Sequence, residues 1–224
     1  DGIRTEAQSP SLSSYLQLPL DRREGSLQEA DALRTLETFS RKDSIFILSY
    51  AILDINGKNR LDTIQSQIGQ DERGLGYFKP PVENGVPFAS ALIFKSTSPT
   101  IYFSAPIRSK SGSIIGVLRA EYNALVCQYL INNSFKQEQA KQLVVVDRQT
   151  YLRIAYTGDR EYLYKSFQEF SVQQLTSLQA EFKMPPGTPS EISQVSPGFV
   201  EGVENFVRGG DFLFFTASSS SLEE

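Results

Sequence analysis

Residues 101–123 read IYFSAPIRSKSGSIIGVLRAEYN, and this stretch decides the fold. Two apolar runs flank the polar segment 108–113, which is rich in serine and contains a glycine. Strand-forming residues on either side of such a segment predict a β-hairpin. Because side chains along a strand alternate between the two faces of a sheet, the hairpin has one apolar face and one face that carries polar groups.

The alternation assigns each side chain of the hairpin to a face. The polar-bearing face holds Tyr102, Ser104, Arg119 and Glu121. The apolar face holds Ile101, Phe103, Ala105, Leu118, Ala120 and Tyr122. We expect the apolar face to pack against a helix and the polar-bearing face to meet a ligand or water.

A helix is predicted over residues 26–42. Ser26 and Glu29 form the pattern S-L-Q-E, which is typical of a capping box at a helix start. Apolar residues then recur every three or four positions, at Leu27, Ala30, Leu33, Leu36 and Phe39. Residues 1–25 are polar and interrupted by prolines, with a short helix predicted around 11–18.

Strand and turn signals dominate the segment between this helix and the hairpin. Residues 45–63 predict two strands joined by a two-residue turn at Asn56-Gly57. A loop with short helical turns is predicted over 64–82, and a strand over 88–94.

After the hairpin, Asn123 is predicted to cap a helix, and residues 141–164 begin a second cycle of strand, turn and strand. Asp54 and Asp147 each close an apolar run before a turn, which indicates a weak internal repeat. A helix capped by Ser171 and Gln174 and a short last strand follow, so the second module is short or incomplete. The whole pattern predicts an α+β fold built on antiparallel sheets.

The composition excludes several classes of function. The chain has 224 residues, a formal net charge of −4, no histidine and one cysteine. A Ser-His-Asp triad, a Cys-His pair and a histidine metal site are therefore impossible. Basic residues are scattered, so no nucleic-acid partner is predicted. Cys127 lies in an apolar run and is predicted to be a buried structural thiol.

Neither a cofactor nor a metal ion is predicted. Asp54, Asp62 and Asp71 lack the spacing of an EF-hand loop. The sequence has no nucleophile motif and no phosphate-binding loop, so we predict that the chain is not an enzyme. No apolar run approaches the roughly 18–20 residues that span a bilayer, and no signal peptide is visible. We expect the chain to be a piece cut from a longer protein.

The order of these signals resembles the Cache family of extracytoplasmic sensor domains. The residues that carry the resemblance are D-I-N-G at 54–57, IGQDERGLGYF at 68–78, GVPFASALIF at 85–94 and the hairpin. More narrowly, the chain resembles the double Cache arrangement, in which a long helix carries a membrane-distal and a membrane-proximal PAS-like module. The resemblance is good over residues 26–131 and weaker over 141–224.

The resemblance implies that the chain has three segments and belongs to a membrane receptor. Residues 1–42 would form the N-terminal segment and long helix, 43–140 the distal module, and 141–224 a proximal module that is short or truncated. The chain would be the periplasmic portion of a bacterial inner-membrane receptor. The sequence of its proximal part is similar to cyanobacterial sensor proteins. A histidine kinase, chemoreceptor region or nucleotide cyclase outside this chain would give the output.

Two functional readings follow from the resemblance. In the first, a small-molecule ligand binds in the distal module and shifts the conformation of the long helix. In the second, the chain is a ligand-free dimerisation or protein-interaction module. A homodimer through the long helix, in a parent protein anchored in the membrane, is expected in either case.

The resemblance also places the ligand pocket between the sheet and the segment that precedes it. The implied lining residues are Arg73, Leu75, Tyr77, Phe78, Phe88, Ser90, Tyr102, Ser104, Arg119 and Glu121. Amino-acid-binding members carry an arginine where this chain has Leu75 and an aspartate where it has Ser90, while a further family aspartate corresponds to Glu121. A buried ligand charge without a partner is costly, so a weakly charged or apolar ligand, or none, is favoured.

The same residues could also have purely structural or solvent-facing roles, and these interpretations stay open. Arg73 could supply the missing cation from a nearby position. Tyr77 and Phe78 could be ordinary core aromatics, and the polar face of the first hairpin strand could meet solvent. Arg119 and Glu121 could form a surface pair that contributes about 0–1 kcal/mol.

Overall fold

The computed structural model describes residues 2–95, 98–134, 141–196, 199 and 214–218. The chain divides into two compact units, one formed by residues 1–90 with 101–123 and the other by 91–100 with 124–224. Both combine helices with antiparallel strands, which confirms the α+β class. The boundaries of the two predicted modules stay predictions.

The helices of the first unit precede its sheet. They are α1 (Gly2–Glu6), α2 (Pro10–Gln17) and α3 (Leu27–Ser40), with α4 (Lys79–Asn84) inserted later. Ser26 caps α3 as predicted, because its side chain accepts a hydrogen bond from the Glu29 amide at 3.0 Å. The Glu29 carboxylate reaches one residue further back than a capping box requires and accepts from the Gly25 amide at 2.6 Å.

The first unit contains a five-stranded sheet in the order β2-β1-β5-β4-β3. The strands are β1 (Ile47–Asp54), β2 (Asn59–Asp62), β3 (Phe88–Ala89), β4 (Thr100–Arg108) and β5 (Ile114–Asn123). The predicted hairpin over 101–123 is confirmed. The strand predicted over 88–94 is wrong beyond Ala89, because the pairing with β4 stops after Ser90 and returns only as an isolated bridge between Ile93 and Thr100.

Asp54 builds the turn between β1 and β2. Its Oδ1 accepts hydrogen bonds from the amides of Asn56 at 2.8 Å and Lys58 at 3.0 Å. Gly57 takes the positive φ of +80° that the turn needs. Because the carboxylate captures two amides, residues 55–58 all lie outside the strands, and the predicted two-residue turn is wrong.

A β-bulge at Leu48 changes which side chains of β1 share a face. Ile47 pairs with Tyr122, whereas Ser49 pairs with Glu121, so two steps on β1 match one step on β5. Leu48 is the extra residue. Ile47 therefore lies on the face of Tyr122, and Ser49 lies on the opposite face with Glu121.

A second bulge at Arg60 does the same in β2. Ile52 pairs with Leu61 and Leu53 pairs with Asn59, which leaves Arg60 as the extra residue. Asn59 consequently shares the face of Leu53, although simple alternation from Leu61 would place it on the other face.

The apolar face of the sheet packs on the helices. Ala105, Leu118 and Ala120 of the hairpin belong to one core cluster with Ala32 and Leu36 of α3, which confirms the predicted packing. Helices α1 and α2 also join this cluster, through Ala7, Leu12, Tyr15 and Leu16.

The second unit has its own three-stranded sheet, in the order β7-β6-β8. Its elements are β6 (Lys141–Val146), β7 (Arg153–Tyr156), β8 (Phe214–Ser218), α5 (Leu125–Ser134), α6 (Val172–Ala180) and α7 (Pro189–Ile192). The capping box of Ser171 and Gln174 is present. Asp147 repeats the device of the first unit, since its Oδ1 accepts from the amides of Gln149 and Thr150 at 3.0 and 2.8 Å.

Cys127 is half-buried and packs against a small cluster of the second unit formed by Ile131, Leu143 and Ala155. Burial raises the pKa of its thiol, as expected for a structural rather than a reactive cysteine. Within the described ranges, no helix combines the length and apolar character that a bilayer crossing requires.

Gly116 provides a test of the sheet–helix packing. A Cβ at this position would collide with the carbonyl oxygen of Leu53 and with the side chain of Leu16. Because a strand carbonyl cannot move without disturbing the ladder, Gly116→Ala should lower the free energy of unfolding by about 1–3 kcal/mol in urea titrations. Gly74→Ala is the matched control, since no atom lies within 4 Å of its Cβ position. Equal losses in the two variants would contradict this packing.

Candidate functional site

The polar-bearing face of the sheet is covered by residues 64–84, which we call the covering segment. Tyr102, Ser104 and Arg119 are all buried beneath it. The Ser104 hydroxyl donates to the carbonyl oxygen of Tyr77 at 2.7 Å, which ties β4 directly to the covering segment. The polar side chains of the hairpin therefore converge under Tyr77 and do not face solvent.

Arg119 is the centre of this region and is only 1% exposed. Its Nη2 lies 2.7 Å from Oδ2 of Asp62, its Nε lies 3.4 Å from Oε2 of Glu72, and its Nη1 lies 3.6 Å from Oε2 of Glu121. One guanidinium is thus shared by carboxylates from β2, the covering segment and β5. We call these four residues the Arg119 cluster.

Three neutral side chains extend the Arg119 cluster. The Arg119 guanidinium also donates to Ser49 and to Gln67. The Asn59 amide nitrogen donates to Asp62 at 2.8 Å and to Glu72 at 2.9 Å. Ser49 and Asn59 reach the cluster because the two bulges turn them onto this face. Oδ1 of Asn59 is buried and accepts no hydrogen bond within the part of the chain that the structure describes.

Two tyrosines close the outer side of the cluster. The Tyr77 hydroxyl donates to Glu72 at 2.6 Å, and the Tyr102 hydroxyl donates to Glu121 at 2.8 Å. Their rings stack with centroids 4.4 Å apart, and the Arg119 guanidinium lies 5.8 Å from the Tyr102 centroid. Aromatic rings and carboxylates thus surround a single cation.

The electrostatics follow from burial and from the unequal charges. Burial by itself lowers the pKa of Arg119, but Glu72 and Asp62 raise it above its usual value, so the guanidinium stays charged. Burial raises the pKa of Asp62 despite the opposing effect of Arg119. Three carboxylates face one guanidinium, so the cluster carries an excess of negative charge when all four groups are ionised.

No family model matches this sequence, and no curated protein does. Among solved structures, the sensor domain of the V. cholerae histidine kinase DctB matches with a TM-score of 0.58 and 18% identity, over 86% of this chain and 67% of that chain. An extracellular ligand binding receptor from Desulfohalobium retbaense DSM5692 matches with a TM-score of 0.51 and 19% identity, over 70% of this chain and 28% of that chain.

The chain has the Cache fold. At sequence identities of 18% and 19%, the structural similarity establishes the fold alone. The chain spans two thirds of the length of the DctB domain and less than a third of the second receptor. The first match is described as a sensor domain and the second as a ligand binding receptor.

The remaining predicted site residues lie at the margin of the cluster or away from it. Phe78 is buried, Phe88 pairs with Ser104 across β3 and β4, and the Ser90 hydroxyl accepts from the Tyr102 amide at 2.9 Å. Leu75 is half-buried in the covering segment.

Arg73 does not join the cluster. Its exposed side chain donates to the carbonyl of Asn56 in the β1–β2 turn at 2.8 Å. It also lies 3.8 Å from the carboxylate of Asp71 in the covering segment. The only cation within the Arg119 cluster, among the residues that the structure describes, is thus Arg119, and a ligand-binding role for Arg73 stays a prediction. The solvent-exposed interpretation of Tyr102, Ser104 and Arg119 is wrong.

Sequence reasoning missed five members of the site. They are Ser49, Asn59, Asp62, Gln67 and Glu72. In the sequence, Asp62 stands out only with Asp54 and Asp71 as a possible metal ligand. Glu72 occurs only within the motif IGQDERGLGYF that carries the family resemblance. Across the described ranges, no group of three or more acidic or sulfur side chains is arranged to hold a metal ion.

The Arg119 cluster predicts a pH-dependent stability defect. Arg119→Met removes the cation between three buried carboxylates, which should cost about 3–5 kcal/mol of unfolding free energy at pH 7. Arg119 opposes the burial that raises the pKa of Asp62, so without the cation this pKa rises further in the folded state. Groups with raised pKa values take up protons as the pH falls, so stability is regained on acidification. Urea unfolding of the variant should therefore show a smaller defect at pH 5 than at pH 7.

Arg34→Met is the control for this measurement, because Arg34 pairs with Asp31 on the exposed side of α3. Its effect should stay within about 0.5 kcal/mol at both pH values. A defect in Arg119→Met that does not change with pH would mean that the carboxylates do not carry the cost.

Proposed function

We propose that this chain is the extracytoplasmic sensing domain of a membrane-anchored signalling receptor, and that a small molecule binds at the Arg119 cluster. The single observation that carries the proposal is a buried cluster of charged side chains on the sheet face opposite the helices. A domain that served only as a spacer would fill this space more cheaply with apolar side chains. A histidine kinase, chemoreceptor or cyclase region would give the output from outside this chain.

The covering segment supports a ligand-exchange role because its contacts with the sheet are largely polar. Gln67, Glu72 and Tyr77 reach the sheet through hydrogen bonds and ion pairs. A polar ligand can replace such contacts one for one. Backbone hydrogen bonds tie Gly69, Gln70 and Glu72 to residues 57–59, and Phe78 is buried at the far end of the segment. A ligand would therefore exchange with side chains of the segment while its backbone stays attached to the sheet.

The charge of the cluster indicates the ligand class. Arg119 is already shared by three carboxylates, so it has no charge to spare for a ligand carboxylate. The excess negative charge and the stacked Tyr77 and Tyr102 rings favour an amine that lacks a carboxylate. This supports the sequence-based argument against an α-amino acid.

The route to the output starts from adjacent residues of β5. Arg119 belongs to the cluster, whereas Ala120 belongs to the core that contains Ala32 and Leu36 of α3. A ligand that reorganises the carboxylates changes the position of β5, and α3 packs on the other side of the same strand. Such a ligand needs to favour one arrangement by only a few kcal/mol to change the populations of two states.

The second candidate, a ligand-free dimerisation or interaction module, is favoured by one observation. The Arg119 cluster already compensates its own cation without a ligand. A homodimer through α3 would use a polar surface, because the outer side of the helix carries the pairs Asp31–Arg34 and Glu37–Arg41.

Thermal unfolding with a panel of amines separates the two candidates. Putrescine, agmatine and tyramine are the probes, and succinate is the carboxylate comparison. An amine at 100 times its dissociation constant should stabilise the chain by about 2.7 kcal/mol, seen as a rise in Tm that grows with the logarithm of the amine concentration. Glu121→Gln should abolish this rise, and Glu37→Gln on α3 should leave it unchanged.

A rise with succinate but with none of the amines would refute the ligand class. No rise with any probe, together with a concentration-dependent dimer in light scattering, would favour the ligand-free module.

A further inference from the structure

The first unit has a concave surface whose lining includes no member of the Arg119 cluster. It is a groove of about 450 Å³ between α1, the start of α2, the end of α4 and the β4–β5 turn. Pockets of this size commonly hold small molecules. We call it the N-terminal groove.

Three cations line the N-terminal groove: Arg4 from α1, Arg108 from the end of β4 and Lys110 from the β4–β5 turn. Its other lining residues, as far as the structure describes them, are neutral. None of the three cations forms an ion pair with a described residue. The whole chain has a formal net charge of −4, so the groove is positively charged although the protein as a whole is negative.

Arg108 is held in place without using its charge. Its Nη1 donates to the carbonyl of Gly112 and its Nη2 to the carbonyl of Gly85, both at 2.9 Å. These acceptors are neutral, so the guanidinium keeps its full charge and further N–H donors. Gly85 has a φ of +68°, and a Cβ there would lie 2.7 Å from Nη2 of Arg108, so a glycine is required beneath the guanidinium.

The acidic residue of α1 does not cancel this charge. The Glu6 carboxylate accepts from Lys42 at 2.8 Å and from the Tyr50 hydroxyl at 2.9 Å, so it is engaged away from the groove lining. Uncharged hydrogen-bonding groups complete the lining, including Gln8 and Ser14. Neither side chain bonds to another residue among those described, so both are available to a ligand.

We propose that the N-terminal groove binds a small polyvalent anion, either a polycarboxylate or a phosphate compound. An arginine with a fixed guanidinium is well suited to carboxylate and phosphate oxygens, and two flexible cations can adjust around it. Hydroxyl and amide groups then satisfy the remaining oxygens. The groove is independent of the Arg119 cluster, and its ligand has the opposite charge.

Calorimetric titration of the 224-residue chain with citrate and with pyrophosphate tests this proposal, at an ionic strength held constant with sodium chloride. Saturable binding of citrate alone assigns a polycarboxylate site, and binding of pyrophosphate alone assigns a phosphate site. Lys110→Gln and Arg4→Gln should each weaken binding about fivefold or more, because each removes one cation from the lining. Both side chains are exposed and form no ion pair with a described residue, so both variants should fold.

Arg34→Gln on the exposed side of α3 is the matched control, since it removes the same charge elsewhere. Its affinity should equal that of the unchanged chain. Equal weakening in all three variants would show only general charge attraction and would overturn the proposal, as would a lack of saturable binding by both anions. Glu121→Gln should bind the anion normally, which separates this site from the amine site.

Discussion

A guanidinium that leaves water needs counter-charges, and this requirement organises the first unit. Arg119 is buried in the middle of β5, and its counter-charges come from β2, the covering segment and β5 itself. An uncompensated buried charge is so unfavourable that these segments have to assemble together. The interaction therefore links distant parts of the chain as firmly as the apolar core does on the other face.

The two faces of one sheet consequently carry different tasks. The helix-facing side is held by apolar packing of α1, α2 and α3, which is tolerant of small changes in chemistry. The opposite side is held by ion pairs and hydrogen bonds, whose strength depends on protonation and on competing polar molecules. Adjacent residues of one strand, such as Arg119 and Ala120, therefore lie in different chemical environments.

Much of this architecture could be predicted from local patterns. Alternation in the hairpin assigned Tyr102, Ser104, Arg119 and Glu121 to one face correctly, and the capping signals located the starts of α3 and α6. These features depend on residues close in sequence. The fold was also within reach, because strand order and turn spacing together resemble a known family.

The features that could not be predicted from the sequence depend on contacts between residues far apart in the chain. The bulges at Leu48 and Arg60 break the period of two, and no local signal marks them, so Ser49 and Asn59 could not be placed. Glu72 lies in a segment without periodicity, and only the folded chain brings it to Arg119. The strand expected over 88–94 had the right composition, yet its register with β4 breaks between Ser90 and Ile93.

The bulge at Arg60 has a consequence for how such domains diverge. If Arg60 paired regularly with Leu53, alternation from Leu61 would rotate Asn59 toward the helices and withdraw its amide from Asp62 and Glu72. Changes in strand register, and not only replacements of side chains, can therefore alter the polar face of this sheet. Comparing related chains position by position would overlook that route, because the aligned residues would stay the same.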